Sequence, residues 1–373
     1  MMKTGAKEPS PRYRTNEPLI SPKVMEYLGQ VISERYLSPG NWVRKFEKAW
    51  AKECGVHHAV AASSGTAALH LALLATGVGK GDEVIVPAMT CPDTLNAVTF
   101  AGAIPVIVDI EPVRFGLDPS RLREEITPNT KAVIPVHLYG AAVDPEIFSI
   151  CHERDLLVIE DAAEAHGAEL GGQPVGSLGT AGCFSFRGDK MLGVGTGGMI
   201  TTNDEQLAGR VNHLIGLAGA GGFDRYHSLE LSYSYEMSNV HAAVGVAQIE
   251  MLAPTIAAKQ RIAGFYDRLL SSDLMDKPAL VDGHVFWRYV VLLKRGNPRR
   301  VHSLLAEQGI ETMPPFVPAY RLPHYAGQQS PKPFPVADDV YERLLSLPIS
   351  PYLERSQVEE IVTLFHAAVV VEN

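Results

Sequence analysis

At 373 residues, with 46% apolar and 20% charged residues, the chain has the length for two core-bearing units and the composition of an ordinary globular protein. Its formal charge of −9 comes from scattered carboxylates with no acidic tail, so nucleic acid is excluded as an expected partner. Cys54, Cys91, Cys151 and Cys183 lie far apart with no CxxC pair and no His-rich neighbourhood, which argues against a disulfide framework and against a metal site. No run approaches the ~20 apolar residues of a membrane span, so no membrane partner is expected and a reducing cytoplasm is the expected location.

The first 14 residues, MMKTGAKEPSPRYR, carry basic residues with no apolar run behind them and are expected to be a flexible segment. Runs rich in β-branched residues at 83–86, 104–110, 132–136, 156–159, 183–186 and 199–202 read as strands. Stretches with helical spacing at 66–75, 92–101 and 145–154 fall between them. That alternation predicts crossover units and a mostly parallel, buried sheet, an α/β architecture with its chemistry at strand ends. A long apolar helix is predicted over 237–252, after which the composition changes. An amphipathic helix over 259–271 and a strand-like run at 285–293 then suggest a second, smaller C-terminal α/β domain. The expected division is a large domain over 15–253 and a small one over 254–373. The Pro-rich stretch 314–335 is too long to be filler and reads as a functional or mobile loop, and Ser356 with Glu359 has capping-box spacing for the last helix.

Two segments stand out chemically. The strand at 156–159 runs into Glu160 and Asp161, so acidic groups lie just beyond its carboxyl end. The sequence Phe184-Ser185-Phe186-Arg187-Gly188-Asp189-Lys190 runs into a glycine-rich stretch at 193–198. Pyridoxal phosphate (PLP) needs a lysine amine, a carboxylate to keep its ring nitrogen protonated, and donors for its phosphate, and these segments supply all three types. Upstream, Ser63-Ser64-Gly65-Thr66 places hydroxyls and a glycine directly before an apolar helix, the arrangement of a phosphate site and equally of a plain N-cap. On residue types alone Asp161 and Lys190 could also be an ordinary surface acid and base. The glycine run does not fit GxxxxGK[ST], and a dinucleotide fingerprint lacks its flanking elements.

Taken together, LSPG at 37–40, SSGTAALHLALLATGVGKGDEVIVPAMT, AGAIPVIVDIEP, IPVHLYG, VIEDAAEAHGAELGGQPVGSLGTAGCFSFRGDK, MSNVHAAVGVAQIE and LPISPYLERSQVEEIV resemble, in order, the sugar aminotransferase family of fold-type I PLP enzymes named after its DegT, DnrJ, EryC and StrS members. The EAHGA segment is similar to perosamine-type 4-aminotransferases. The resemblance implies a PLP aminotransferase, passing through pyridoxamine phosphate during turnover. Lys190 would form the Schiff base and shuttle the proton, Asp161 would pair with the ring nitrogen, and Glu164 would approach the ring hydroxyl. Gly65, Thr66 and Ser185 would hold the phosphate.

It also implies a homodimer with shared sites, the loop before the long helix, with Ser234 and Asn239, reaching the partner's phosphate. The chain departs from the family pattern at Cys91, where an aromatic commonly stacks on the ring, and at Ser234, Glu236, Thr196 and Tyr320. Candidate substrate contacts are His166, Arg187 and Tyr320. His137 and Tyr139, and the aromatics Phe223, Tyr226, Tyr233 and Tyr235, are weighed equally as packing residues.

The implied reaction moves an amino group from an amino acid, L-glutamate by expectation, to an NDP-4-keto-6-deoxyhexose to form an aminodeoxysugar. The alternatives are a keto-cyclitol acceptor, a PLP-dependent sugar dehydratase, which the lysine at 190 disfavours, and a non-catalytic regulator.

Overall fold

The computed structural model describes residues 11–216, 230–327 and 333–372. Helices α1 (Val24–Glu34) and α2 (Asn41–Glu53) precede β1 (His58–Ala62), α3 (Gly65–Ala75), β2 (Glu83–Pro87), α4 (Pro92–Phe100), β3 (Ile104–Val108), α5 (Pro119–Glu125), β4 (Thr130–Val133), α6 (Glu146–Glu153) and β5 (Leu157–Asp161). A two-residue hairpin, β6 (Glu169–Leu170) and β7 (Gln173–Pro174), leads to β8 (Ala181–Ser185), β9 (Gly198–Thr202) and α7 (Glu205–Leu214).

The sheet order is β1-β9-β8-β5-β4-β2-β3. Pairs β3-β2-β4-β5-β8 are parallel and β9 runs against both its neighbours, so the sheet is mostly parallel as the alternation predicts. Its strands are buried on both faces because helices cover both, which is why they read as continuous apolar runs. Strand β1, whose small residues His58-Ala59-Val60-Ala61-Ala62 lack a β-branched run, escapes the sequence pattern and is recruited by pairing with β9. Helix α3 is apolar on all sides, eight of its eleven residues being buried between the sheet and other helices.

The single long helix predicted at 237–252 is α8 (Asn239–Ile249), followed after a bend of 59° by α9 (Leu252–Leu269). Among the described residues no single helix is long and apolar enough to cross a membrane. A three-stranded antiparallel sheet, β10 (Met275–Asp276), β11 (Tyr289–Leu293) and β12 (Leu344–Leu347), packs with α10 (Pro298–Glu307), α11 (Pro335–Arg343) and α12 (Arg355–Val371).

Two main cores result. One gathers residues from α1 to α8 around the seven-stranded sheet, and the other joins Ile262 and Tyr266 of α9 to β11, β12, α10 and α12. Leu252 belongs to the first and Ile262 to the second, so α9 itself spans the junction. Of the N-terminal segment expected to be free up to residue 14, residues 1–10 lie outside the described residues. Tyr13 is buried in the C-terminal core, and Arg12 and Tyr13 both bond Glu360.

The strand expected over 285–293 is shorter. Phe286 takes a positive φ of 52°, so 285–288 leaves the sheet line and crosses to the first core, where the amide of Val285 donates to Gly140 O and that of Arg288 to Tyr139 O. Helix α12 starts at Arg355, so the Ser356/Glu359 box is displaced by Glu354, whose amide donates to Gln357 Oε1 at 2.8 Å.

Candidate active site

Because β1 and β8 each run against β9, β1 is parallel to the main sheet, and the carboxyl ends of β1, β2, β4, β5 and β8 emerge on one edge where β9 begins. That edge is where open α/β sheets hold ligands, since loops and helix N-termini converge there. A cavity opens at this edge. Its walls include Ser64, Gly65 and Thr66 after β1, Thr90 and Cys91 after β2, Asp161 ending β5, and Ser185 and Lys190 at and after β8.

Asp161 is buried, and its carboxylate is held by hydrogen bonds alone. Thr94 Oγ1 donates to Oδ2 at 2.8 Å and the amide of Ala163 donates to Oδ1 at 3.2 Å. The Thr94 hydroxyl, having given its proton to Asp161, accepts from Thr90 Oγ1 at 2.8 Å. Burial pushes the Asp161 carboxyl above the ordinary range and these bonds only partly counter it. Among the described residues no salt bridge neutralises it, so it is a buried anion site poised for a cationic donor.

Lys190, also buried, reaches the same cavity with its Nζ 3.4 Å from Glu164 Oε1. The other Glu164 oxygen accepts the amide of Tyr139 at 3.0 Å. The ammonium also lies 4.1 Å from the centroid of the Trp287 ring, and the indole N–H donates to the carbonyl of Asp189, the residue before the lysine.

The third element is the start of α3. Helix geometry leaves the first amides without intrahelical partners, and the Ser64 side chain satisfies one of them, that of Ala67, at 3.1 Å. The remaining first-turn amides and the helix dipole face the cavity edge and favour an anion. Glycine is required here by close approach. A Cβ on Gly65 would stand 2.7 Å from the Ser185 Cβ, and one on Gly198 would stand 2.1 Å from the Ser64 carbonyl oxygen. The glycines lock the helix start onto the ends of β8 and β9, bringing Ser185 to the anion site.

Of the sequence candidates, Gly65, Thr66, Cys91, Asp161, Glu164, Ser185, Arg187 and Lys190 all line this one cavity. The Cys91 thiol, held up at about 11 by burial, lies 3.5 Å from Asp93 Oδ2. Arg187 is exposed, and its fork is engaged by Asp189 at 2.6 and 2.7 Å, not by Asp161.

Other candidates fall elsewhere. His166 is fully buried among Trp50, Phe184 and Phe186, with burial lowering it to about 3, so it is a neutral core residue. Tyr320 stacks on Phe334 at 4.1 Å and donates its hydroxyl to Asp338. His137 is fixed by Glu160 Oε2 at 3.0 Å and accepts the amide of Val143. Ser234 is exposed on the strand-free approach to α8, and Asn239, buried, donates to Tyr36 O at 3.0 Å. Tyr233 and Tyr235 stack at 5.2 Å, and Phe223 and Tyr226 lie outside the described residues.

Trp287, Phe316 and Thr94 escape sequence reasoning. Phe316 lines the cavity from the Pro-rich stretch and stacks on Tyr139 at 6.1 Å. Thr94 lies in the first turn of α4 and could be found only by knowing that this turn meets the end of β5.

A family model for the DegT/DnrJ/EryC1/StrS aminotransferase family matches residues 18–366. The chain belongs to that family. The aminotransferase is 43% identical over 325 residues to GDP-perosamine synthase of Caulobacter vibrioides, covering 85% of the chain and 87% of the relative. It is 37% identical over 346 residues to GDP-perosamine synthase of Escherichia coli O157:H7, covering 92% and 94%. A solved structure of S. venezuelae DesV in complex with a ketimine intermediate matches with a TM-score of 0.87 at 31% identity, covering 93% of the aminotransferase and 94% of that chain.

Proposed function

We propose that this aminotransferase binds pyridoxal phosphate on Lys190 and transfers an amino group from an amino acid, L-glutamate in the first instance, to an NDP-4-keto-6-deoxyhexose, giving an aminodeoxysugar. The observation that carries the reading is one cavity holding a buried carboxylate, a buried lysine and a helix N-terminus. The donor set fits the cofactor. Asp161 lacks a salt-bridge partner among the described residues, as a site for a protonated ring nitrogen requires, and the Gly65–Ser185 contact leaves an anion cradle at the far wall. When bound, the cofactor supplies an electron-accepting ring that can store an amino group between two substrates.

Each residue then has a defined task. Asp161, oriented by Thr94, would hold a proton on the ring nitrogen of the bound cofactor. Lys190 moves the proton at the amino acid's α-carbon, its nitrogen held at the cavity by Glu164. The α3 start, with Thr66 and Ser185, would hold the phosphate in the same cavity as Asp161. Cys91 covers one side of the cavity with a protonated thiol.

The nucleotide to test first is GDP, because two relatives at 37% and 43% identity are named as GDP-perosamine synthases. A homodimer in the cytoplasm is part of the same proposal. Met25, Ile32, Tyr36 and Leu37 are exposed apolar side chains running along and beyond α1, and Ser234 is exposed beside α8, where a second copy would cover them.

An absorbance spectrum before and after glutamate tests the reading. A visible band that moves to the near-ultraviolet, and returns when a GDP-linked 4-keto sugar is added, is expected. Lys190→Ala is expected to lose the band and turnover while remaining folded. A coloured, active variant would refute the assignment, and equal activity on a free keto-cyclitol would refute the nucleotide sugar.

A further inference from the structure

The lysine that the proposed chemistry uses is touched by Trp287, which lies on the segment leading into β11 and packs in the first core. Trp287 is buried, and its ring centroid lies 4.1 Å from Lys190 Nζ. Three groups hold that indole in place. Its N–H donates to Asp189 O at 2.8 Å, the backbone carbonyl of Trp287 accepts from the fully buried Lys259 Nζ at 3.2 Å, and the Arg288 guanidinium lies 4.4 Å from the same ring centroid. The Asp189 carbonyl takes a second donor, Asn16 Nδ2 at 2.5 Å. Asn16 belongs to the N-terminal segment whose Thr15 bonds Glu311 and the amide of Ile349. The peptide before Lys190 is thus gripped by two side chains, neither of them part of the seven-stranded sheet. The segment carrying Trp287 is pinned in turn to residues 139 and 140, beside the Glu164 that faces the lysine.

We propose that Trp287 is a positioning residue for Lys190, through which the 285–288 segment holds the lysine nitrogen in the cavity and favours its positively charged forms. An aromatic face attracts a cation, the more so when water is excluded, and a neutral amine gains nothing comparable. Glu164 and the indole offer the nitrogen a carboxylate oxygen and a negative ring face, and together they define where the nitrogen rests when the cofactor has left it. The Asp161 and Asp189 carboxyls and the Cys91 thiol also act on its charge, from β5, the preceding residue and the start of α4. This inference rests on the reading that Lys190 carries the cofactor.

The test is a pH titration of the visible band of the cofactor-loaded protein, compared among wild type, Trp287→Met and Trp287→Phe. Trp287→Met, which fills space without a π face, is expected to lower the midpoint by about one pH unit, and Trp287→Phe to restore most of it. Should the methionine variant fail to fold, the protein is labelled with tryptophans of increasing fluorine content, which keep the ring's shape while draining its negative face. The midpoint is then expected to fall stepwise with fluorine content. Unchanged midpoints across either series, in proteins that retain the band, would overturn the proposal and leave Trp287 a packing residue. A wild-type protein that never shows the band refutes the functional reading instead, so the two failures are distinguishable.

Discussion

Thr94→Val tests whether the site works through the charge on Asp161. The substitution keeps the shape of the side chain and deletes the hydroxyl that donates to Asp161 Oδ2 at 2.8 Å. A hydrogen bond to a charged group contributes about 1.5–3 kcal/mol. At 1.36 kcal/mol per pH unit, its loss should raise the Asp161 pKa in the cofactor-free protein by roughly one to two units, on top of the elevation that burial already imposes. The sign follows from the requirement that Asp161 be ionised to hold a protonated ring nitrogen. On the alkaline side both proteins present the carboxylate, and their affinities for pyridoxal phosphate should be similar. Towards acid the variant must first shed a proton that wild type has already lost. The affinity deficit should therefore grow as pH falls, to about ten- to a hundredfold. The assay is an absorbance titration with pyridoxal phosphate at half-unit steps from pH 5 to 9, with Thr94→Ser as the control that retains the hydroxyl. A deficit independent of pH, or none at all, would show that the hydroxyl does not act on the charge of Asp161.

Glu164→Gln can keep an oxygen for the Tyr139 amide but removes the charge facing Lys190, so kcat should fall about tenfold with Tm unchanged in a melt followed by circular dichroism. Gly198→Ala would place a Cβ 2.1 Å from the Ser64 carbonyl, and it should lower Tm by on the order of 5 °C and weaken cofactor binding together, read by melting and by absorbance titration. His166, held near 3 in the fold, must stay neutral there while its unfolded counterpart takes up a proton below about 6.5. Its contribution therefore costs stability as pH falls through that window, about 1.4 kcal/mol per unit, and urea midpoints between pH 6.5 and 4 should fall less steeply in His166→Leu. The same variant should keep turnover within a few-fold, and a hundredfold loss in a folded protein would place His166 in the reaction after all.

How much was legible differs between fold and site for a physical reason. Periodicity and β-branched runs located six of the seven strands of the main sheet, because a strand buried on both faces has to be apolar along its length. They missed β1, whose place depends on pairing with β9, and they read 285–293 as one strand although Phe286 turns the chain out of the sheet. The sequence by itself determined the residue types at the strand ends, since Asp161, Ser185 and Lys190 lie on or directly after β5 and β8, and chain connectivity carries them to the edge with those strands. What only the tertiary structure decided is which distant residues meet them. Thr94 reaches Asp161 because the first turn of α4 meets the carboxyl end of β5, and Trp287 reaches Lys190 because the 285–288 segment bonds residues 139 and 140. His166 is drawn into an aromatic core although it lies only five positions beyond Asp161. Local pattern records which face of an element is apolar, whereas the partner that face meets is set by the packing of elements far apart in the chain.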